Sequence, residues 1–585
     1  MRAMRAVTTT AAASTSISGG RKVVDTLVSL GVDTIFGIPG TQTIPIYRGL
    51  RERASIISHV TARHEQGAGF MAEGFARATG KVGVACVVTG VGLTNLLTAL
   101  ADAKADSVPL LAISSQVPTF WSSKPSRQFN HFVPRSSVGI AASVTKKSVC
   151  VEEVQQIAPA IIEAYNLALN GRPGPVHVEI CMDVLRALVP HEASVPVPPS
   201  KTTQHALPVG TRSALLEAAA QLWQCQRPII VIGGGAVATV ELLEPLAEAL
   251  GAMVVTTSAG KGVLDERHQL SLGSRLHVLS QCTSPFQHAD GLLLLGTQLS
   301  PTDWWPAQLD QEVELPRAAK TIVQIDIDPL HIRECIGNLP GAIAVEADAK
   351  VACGVLLEEC SRLRRMEALP TSHWNGSPEV AVSDIRKVTD SVDVLSQRLG
   401  LNFSCTNAAG AQMRSILSVL RRVLPEEAIV TADVCRLSYV ALSLFATYAP
   451  RNFLYPAGTN PLGFALPAAI GASLARPGVP VVVLVGDGGL QFTLQELAVA
   501  SEQQLPLLLL LWNDRCYGEV KGQLLDDFAN TLPLPDFYHI CSAYKVPHSR
   551  CYDVASFEGA LDEDAVQRVL RGEGGPIMIE FYQAL

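Results

Sequence analysis

Val481-Val482-Val483-Leu484-Val485-Gly486-Asp487-Gly488-Gly489 is an unbroken apolar run that ends in a glycine turn around one acid. An apolar run without alternation predicts a strand buried on both faces, as in a parallel sheet covered by helices. Thr493-Leu494-Gln495-Glu496 matches a capping box, and Leu494, Leu497 and Ala498 supply the apolar face of a helix beginning there. Glycines at a strand-to-helix turn let the backbone approach a phosphate, whose charge suits helix N-terminal N–H groups. A second apolar strand, Leu507–Trp512, ends on Asn513, 26 residues after Asp487. Two successive strands thus bring a carboxylate and an amide oxygen to one sheet edge, where open parallel sheets bind ligands. Magnesium takes oxygen ligands, few of them from protein. An Asp, an Asn and a backbone carbonyl meet that demand.

The same alternation extends outward in both directions. Helical patterns at Arg21–Leu30, Gln66–Thr79 and Thr94–Ala105 interleave with strand patterns at Thr34–Ile38, Gly83–Val88, Pro109–Ser114 and Pro175–Ile180. Pro228–Ile232 opens a middle block, and Ala428–Thr431 and Pro576–Phe581 flank the last. The predicted architecture is α/β with three domains, each a parallel sheet covered by helices. Its divisions are a tail at 1–17, domains at 18–190 and 209–365, a linker at 366–408, and a final domain at 409–585. Pro196–Pro208, rich in Pro, Ser and Thr, reads as a further linker. No internal repeat is visible in the residues themselves.

Composition narrows the function classes. Of 585 residues 48% are hydrophobic and 17% charged, which excludes a disordered chain. A formal charge of −8 with no basic block gives no footprint for nucleic acid. The apolar runs are far shorter than the ~20 residues that span a bilayer. The 13 cysteines show no CxxC pair and no zinc-ligand spacing, and read as buried thiols of a reducing compartment. The first acid is Asp25, and Met1–Ser18 is rich in Ala, Ser and Thr with Arg2 and Arg5. That segment reads as an organellar transit peptide or as a frayed end of a cytoplasmic protein.

Gly486-Asp487-Gly488 followed by Asn513 resembles the metal–diphosphate signature of thiamine-diphosphate enzymes of the acetolactate synthase and 2-oxo acid decarboxylase superfamily. The resemblance implies Asp487 and Asn513 as magnesium ligands, with the carbonyl of Arg515 as a third. It implies Gly488, Gly489, Tyr517 and Gly518 as neighbours of the diphosphate. Arg63-His64-Glu65-Gln66-Gly67-Ala68 resembles the family's RHEQGA motif. Glu65 would then hydrogen-bond the cofactor's pyrimidine ring and so activate it, with His64 beside it. Phe36–Gly40 resembles the loop facing the reactive centre, and Thr89–Asn95 the TxGPGxxN loop, with Val91 and Leu93 in place of commoner residues. Asp106–Gln116 resembles the segment ending in an active-site glutamine. Leu462, in Pro461-Leu462-Gly463, matches the apolar wedge under the bent cofactor. Gly40, Asn95 and Leu462 are accordingly expected at the cofactor, and Gln116 at the substrate. In the family the first domain of one subunit faces the third of its neighbour, which implies a homodimer or homotetramer.

The implied reaction is non-oxidative decarboxylation of a 2-oxo acid, the enamine being released as an aldehyde or ligated to a second carbonyl. Gly37–Gly40, Ile46–Leu50 and Tyr517-Gly518-Glu519-Val520 look closer to bacterial guanidino-2-oxo acid decarboxylases. For a cationic substrate Glu519 is the candidate acid, although a solvated helix-start charge accounts for it equally. The alternatives are an acetolactate synthase, joining two pyruvates, or a flavin-containing oxidoreductase relative. Against the former, Asp433-Val434-Cys435-Arg436-Leu437 replaces the usual DVGQH, no Gly-Met-Val follows Asn513, and Ser126–His131 departs from the usual pocket segment. For the latter, Gly233-Gly234-Gly235 is a weak dinucleotide signal. Gly296–Trp305 replaces the arginine-containing segment of those relatives that hold a non-redox FAD.

Overall fold

The computed structural model describes residues 16–121, 136–190, 209–276, 288–300, 303, 319–336, 339, 341–366, 408–518 and 535–583. Three parallel sheets covered by helices make up the chain, as the alternation predicts. The first runs Ser58–Thr61, Thr34–Gly37, Gly83–Val87, Leu110–Gln116, Val176–Cys181, Lys147–Val151 across its width. The third runs Phe453–Leu454, Ile429–Ala432, Val481–Gly486, Leu507–Asn513, Ile577–Tyr582, His548–Cys551. The two orders are the same. Each sheet starts at its second strand, steps outward once, then crosses back, so both have a topological switch point beside their first strand. The repeat that the residues conceal is therefore present in the topology.

The middle sheet has five strands, Met253–Thr256, Pro228–Ile232, Gly291–Leu295, Thr321–Asp326 and Ile343–Glu346. Val481–Gly486 and Leu507–Asn513 are buried at every residue, which is why they carry no polar alternation. A short antiparallel pair, Ser16–Ser18 with Leu188–Pro190, closes the first domain. Ser16 and Ile17 thus pair with the domain, though the composition of Met1–Ser18 assigns them to a tail. Residues 1–15, both linkers, Ser126–His131, Glu519 and Val520 lie outside the described residues.

The helices that follow the second strand of each end sheet, Glu65–Thr79 and Ala465–Ala475, pack on one another. Glycines set their spacing. A Cβ on Gly74 would lie 2.1 Å from the Ala468 carbonyl oxygen, and one on Gly471 would lie 1.9 Å from that of Met71. Beside this pair, largely buried Arg77 donates to Glu73, Asp102 and Asp106, and Thr459 of the third domain donates to Asp102. Burial, reinforced by the charge of Asp102 and opposed by Arg77, pushes the Asp106 carboxyl up to about 6. First and third domains are thereby joined within one chain by a close-packed, hydrogen-bonded seam.

Candidate cofactor site

At the switch point of the third sheet, Ala432 runs into Asp433 and Gly486 into Asp487. The helix begins at Asp487 itself and ends at Thr493; a short 3-10 turn, Leu494–Glu496, and the Leu497–Glu502 helix follow. The capping box expected at Thr493–Glu496 does not form, because both side chains are used elsewhere. The Thr493 hydroxyl donates to the Gly463 carbonyl at 2.8 Å. Glu496 is buried and accepts the backbone N–H groups of Arg63 and His64 at 3.0–3.1 Å, across the domain seam. A Cβ at Gly67 would lie 2.3 Å from Glu496 Oε1, so the glycine of the RHEQGA segment makes room for this clamp.

Asp487 Oδ1 accepts the N–H of Gly488 at 2.8 Å, whereas Oδ2 is buried with no partner. Burial, reinforced by the charge of Asp514, pushes this carboxyl up to about 7. Asn513 closes the neighbouring strand; its Oδ1 accepts the Arg515 N–H at 3.3 Å, a group that also lies at the Asp487 carboxylate. Arg515 has φ +57°, a left-handed conformation uncommon outside glycine, which turns the chain back over this point. Two oxygen donors thus surround one small region, and one of them lacks any protein partner. A divalent cation fits this donor set.

The surrounding loop is braced by residues that sequence reasoning left without a role. Asp433, buried and pushed up to about 7 by that burial, accepts the Gly463 N–H at 3.0–3.1 Å. Gly463 sits at φ +85°, so the turn carrying half-buried Leu462 is pinned on one side by Asp433 and on the other by Thr493. Gly489 packs on Asp433, and its Cβ would be 3.1 Å from a carboxylate oxygen. Arg436, standing in the altered DVGQH segment, binds Asp514 at 3.3 Å and the Gly518 carbonyl at 2.7 Å. Half-buried Tyr517 lies on the same loop.

The first domain assembles a second group at the carboxyl ends of its strands. Glu65 begins the Glu65–Thr79 helix and is 9% exposed, with Oε2 accepting Asn95 Nδ2 at 3.0 Å. His64 caps that helix by accepting the Gln66 N–H. Gly40 lies against Val88, where a Cβ would be 2.5 Å from a methyl carbon, and its loop is closed by Thr43. Gln116, expected at the substrate, ends the Leu110–Gln116 strand. Its side chain is fully buried, and its amide binds Glu179 at 2.7 and 3.0 Å and Ser137 at 3.3 Å. Its oxygen accepts Val117 N–H and the Thr89 hydroxyl. Gln116 therefore braces the Thr89 loop. The structure brings Asp487, Asn513 and Arg515 together, and Glu65 with Asn95; no hydrogen bond among the described residues joins the two groups.

Residues 17–133 match the N-terminal TPP binding domain of thiamine pyrophosphate enzymes, 215–356 their central domain, and 433–581 their C-terminal TPP binding domain. The chain belongs to that family. This thiamine pyrophosphate enzyme is 35% identical to a probable 2-ketoarginine decarboxylase of Pseudomonas aeruginosa, across 97% of its own length and 94% of the relative's. It is 31% identical to the large subunit of acetolactate synthase isozyme 1 of Escherichia coli, covering 86% and 83% of the two chains. The chloroplastic acetolactate synthase 1 of Zea mays is 32% identical, over 91% and 81%. In the enzyme's central domain the glycine cluster packs against the backbone of the neighbouring strand end. Gly233 and Gly235 donate their N–H groups to the carbonyls of Leu295 and Gly296, and a Cβ on Gly233 would lie 2.1 Å from the latter oxygen. Among the described residues no helix is long and apolar enough to cross a membrane.

Proposed function

We propose that this enzyme, with thiamine diphosphate and magnesium bound, decarboxylates a 2-oxo acid non-oxidatively, and that its substrate is of the guanidino-2-oxo acid class. The observation carrying this reading is Asp487, whose buried, unpartnered oxygen stands beside Asn513 in a chain aligned almost end to end with a probable 2-ketoarginine decarboxylase. Asp487, Asn513 Oδ1 and the Arg515 carbonyl would hold magnesium, with Gly488, Gly489, Tyr517 and Gly518 beside the diphosphate. Bound thiamine diphosphate supplies the electron sink into which the bond to the carboxylate breaks.

The chain's own contributions are positional and protonic. Asn95 occupies Glu65 Oε2, which leaves Oε1 to share a proton with the cofactor's pyrimidine ring. Leu462, on its doubly pinned turn, would supply the apolar support for the cofactor. Gly40 and the Thr89 loop, braced by Gln116, form the wall on the substrate side. No hydrogen bond among the described residues joins the metal group to Glu65, and the complete site is assembled between subunits of a homodimer or homotetramer, as the family resemblance implies.

A second reading, acetolactate synthesis, is favoured by the relatives at 31–32% identity. One experiment separates the two: a panel of 2-oxo acids with thiamine diphosphate and magnesium, scoring CO₂, aldehyde and acetolactate. CO₂ and aldehyde from 2-oxo-5-guanidinopentanoate, with pyruvate turned over at least tenfold more slowly, is the expected result. Acetolactate from pyruvate as the main product would overturn it.

A further inference from the structure

Ile577–Tyr582 is an apolar central strand with one charge in it, Glu580, whose side chain is fully buried. Oε2 of Glu580 is held by His548 Nε2 and Arg550 Nε, each at 2.9 Å. Oε1 accepts Asn513 Nδ2 at 2.5 Å. An ion-paired carboxylate has only acceptors, whereas an asparagine amide has a donor end and an acceptor end. Turned the other way, Asn513 would set its oxygen against a carboxylate oxygen. Arg550 and His548 therefore keep Glu580 an acceptor, Glu580 takes the NH₂ end of Asn513, and the oxygen end is left facing Arg515 and Asp487.

We infer that Glu580 is the positioning residue of the metal site: it dictates which end of the Asn513 amide is offered to the cation. The role rests on the reading of Asp487 and Asn513 as magnesium ligands. It explains a buried charge in the strand beside Asn513 that the cofactor itself does not require. Partners that orient a metal ligand typically govern 10- to 100-fold in affinity.

The arrangement predicts an unusual pattern for a near-isosteric change. In Glu580→Gln the glutamine oxygen is claimed by Arg550 and His548, so its NH₂ turns toward Asn513. The asparagine must then reverse and present NH₂ to the metal. A carboxylate at 513 has no donor end to present, so Asn513→Asp should rescue Glu580→Gln. Asn513→Asp alone sets two carboxylates together and should also bind poorly.

The test is Mn²⁺ titration of the metal-free protein with thiamine diphosphate present, followed by electron paramagnetic resonance of the free ion, with melting curves for all variants. The expected result is a 10- to 100-fold weaker Mn²⁺ affinity in each single variant and recovery to within a few-fold in the double variant. Affinity within twofold of the parent in Glu580→Gln overturns the proposal. So does a double variant that folds yet binds as weakly as Glu580→Gln. Asp487→Ala is the separate control: unchanged Mn²⁺ affinity there overturns the metal reading itself, and the role of Glu580 with it.

Discussion

Glu65 was legible only through its motif, since a lone glutamate opening a helix is ordinarily a favourable helix-end charge. The structure adds that Asn95 holds one oxygen and leaves the other, so removing the charge while keeping the shape isolates its proton-sharing role. Glu65→Gln should retain thiamine diphosphate binding by calorimetry yet lose about 10²- to 10⁴-fold in turnover; near-parental turnover would remove Glu65 from the mechanism. The partners of Gln116 were not legible because a sequence shows a polar residue at a strand end and not the carboxylate, Glu179, on the neighbouring strand. The same sheet hides His177, bonded at both ring nitrogens by Ser114 and Ser148 at 2.8 Å. Burial lowers its pKa from 6.5 to about 4. The unfolded chain therefore takes up this proton first, so His177 leaves stability unchanged above pH 6.5 and lowers it as pH falls from 6.5 to 4. That difference amounts to about 3 kcal/mol at the acid end. Denaturant titrations at pH 7 and pH 4.5 should show a smaller acid loss in His177→Gln than in the parent.

Among the elements, the central strands were readable to within a residue or two because full burial leaves an uninterrupted apolar run, as in Val481–Gly486 and Leu507–Asn513. The capping box at Thr493–Glu496 failed for the opposite reason: local pairing loses to Gly463, 30 residues from Thr493, and to Arg63 and His64, more than 400 residues from Glu496, partners that no short window of sequence contains. Helix packing has a similar non-local signature. Gly471→Ala should overpack the crossing of Glu65–Thr79 with Ala465–Ala475 and destabilise the enzyme by about 1–3 kcal/mol. Gly139, exposed in the Ser136–Ala142 helix with nothing within 4 Å of a Cβ, provides the contrast. Gly139→Ala should be neutral or stabilising by about 0.5–1 kcal/mol. Calorimetric melting of the two variants checks both signs, and equal effects would discount the seam.

For the whole molecule, the two residue groups sit at the carboxyl ends of strands in two sheets with one strand order, and no hydrogen bond among the described residues joins them. Glu65→Gln and Asp487→Ala are each expected to be inactive. Co-expressed, they should regain about a quarter of parental activity, since half of randomly paired dimers then carry one intact site. No recovery would place both groups in a site built by one chain. The fold class was plain from the alternation of patterns, while the duplicated strand order was not, because Val, Ile and Leu exchange freely in buried strands and erase similarity without disturbing topology.

The glycine-set contact of Gly74 and Gly471 also constrains motion. Two domains that meet at bare backbone, with Arg77, Asp102 and Thr459 bonded beside them and Glu496 holding Arg63 and His64, are tied together along this contact. Hinge closure, the common way for multidomain enzymes to enclose a substrate, would have to break this seam on every turnover. Entry and exit must then be governed by loops, and the scattering envelope of the enzyme should be the same with and without cofactor.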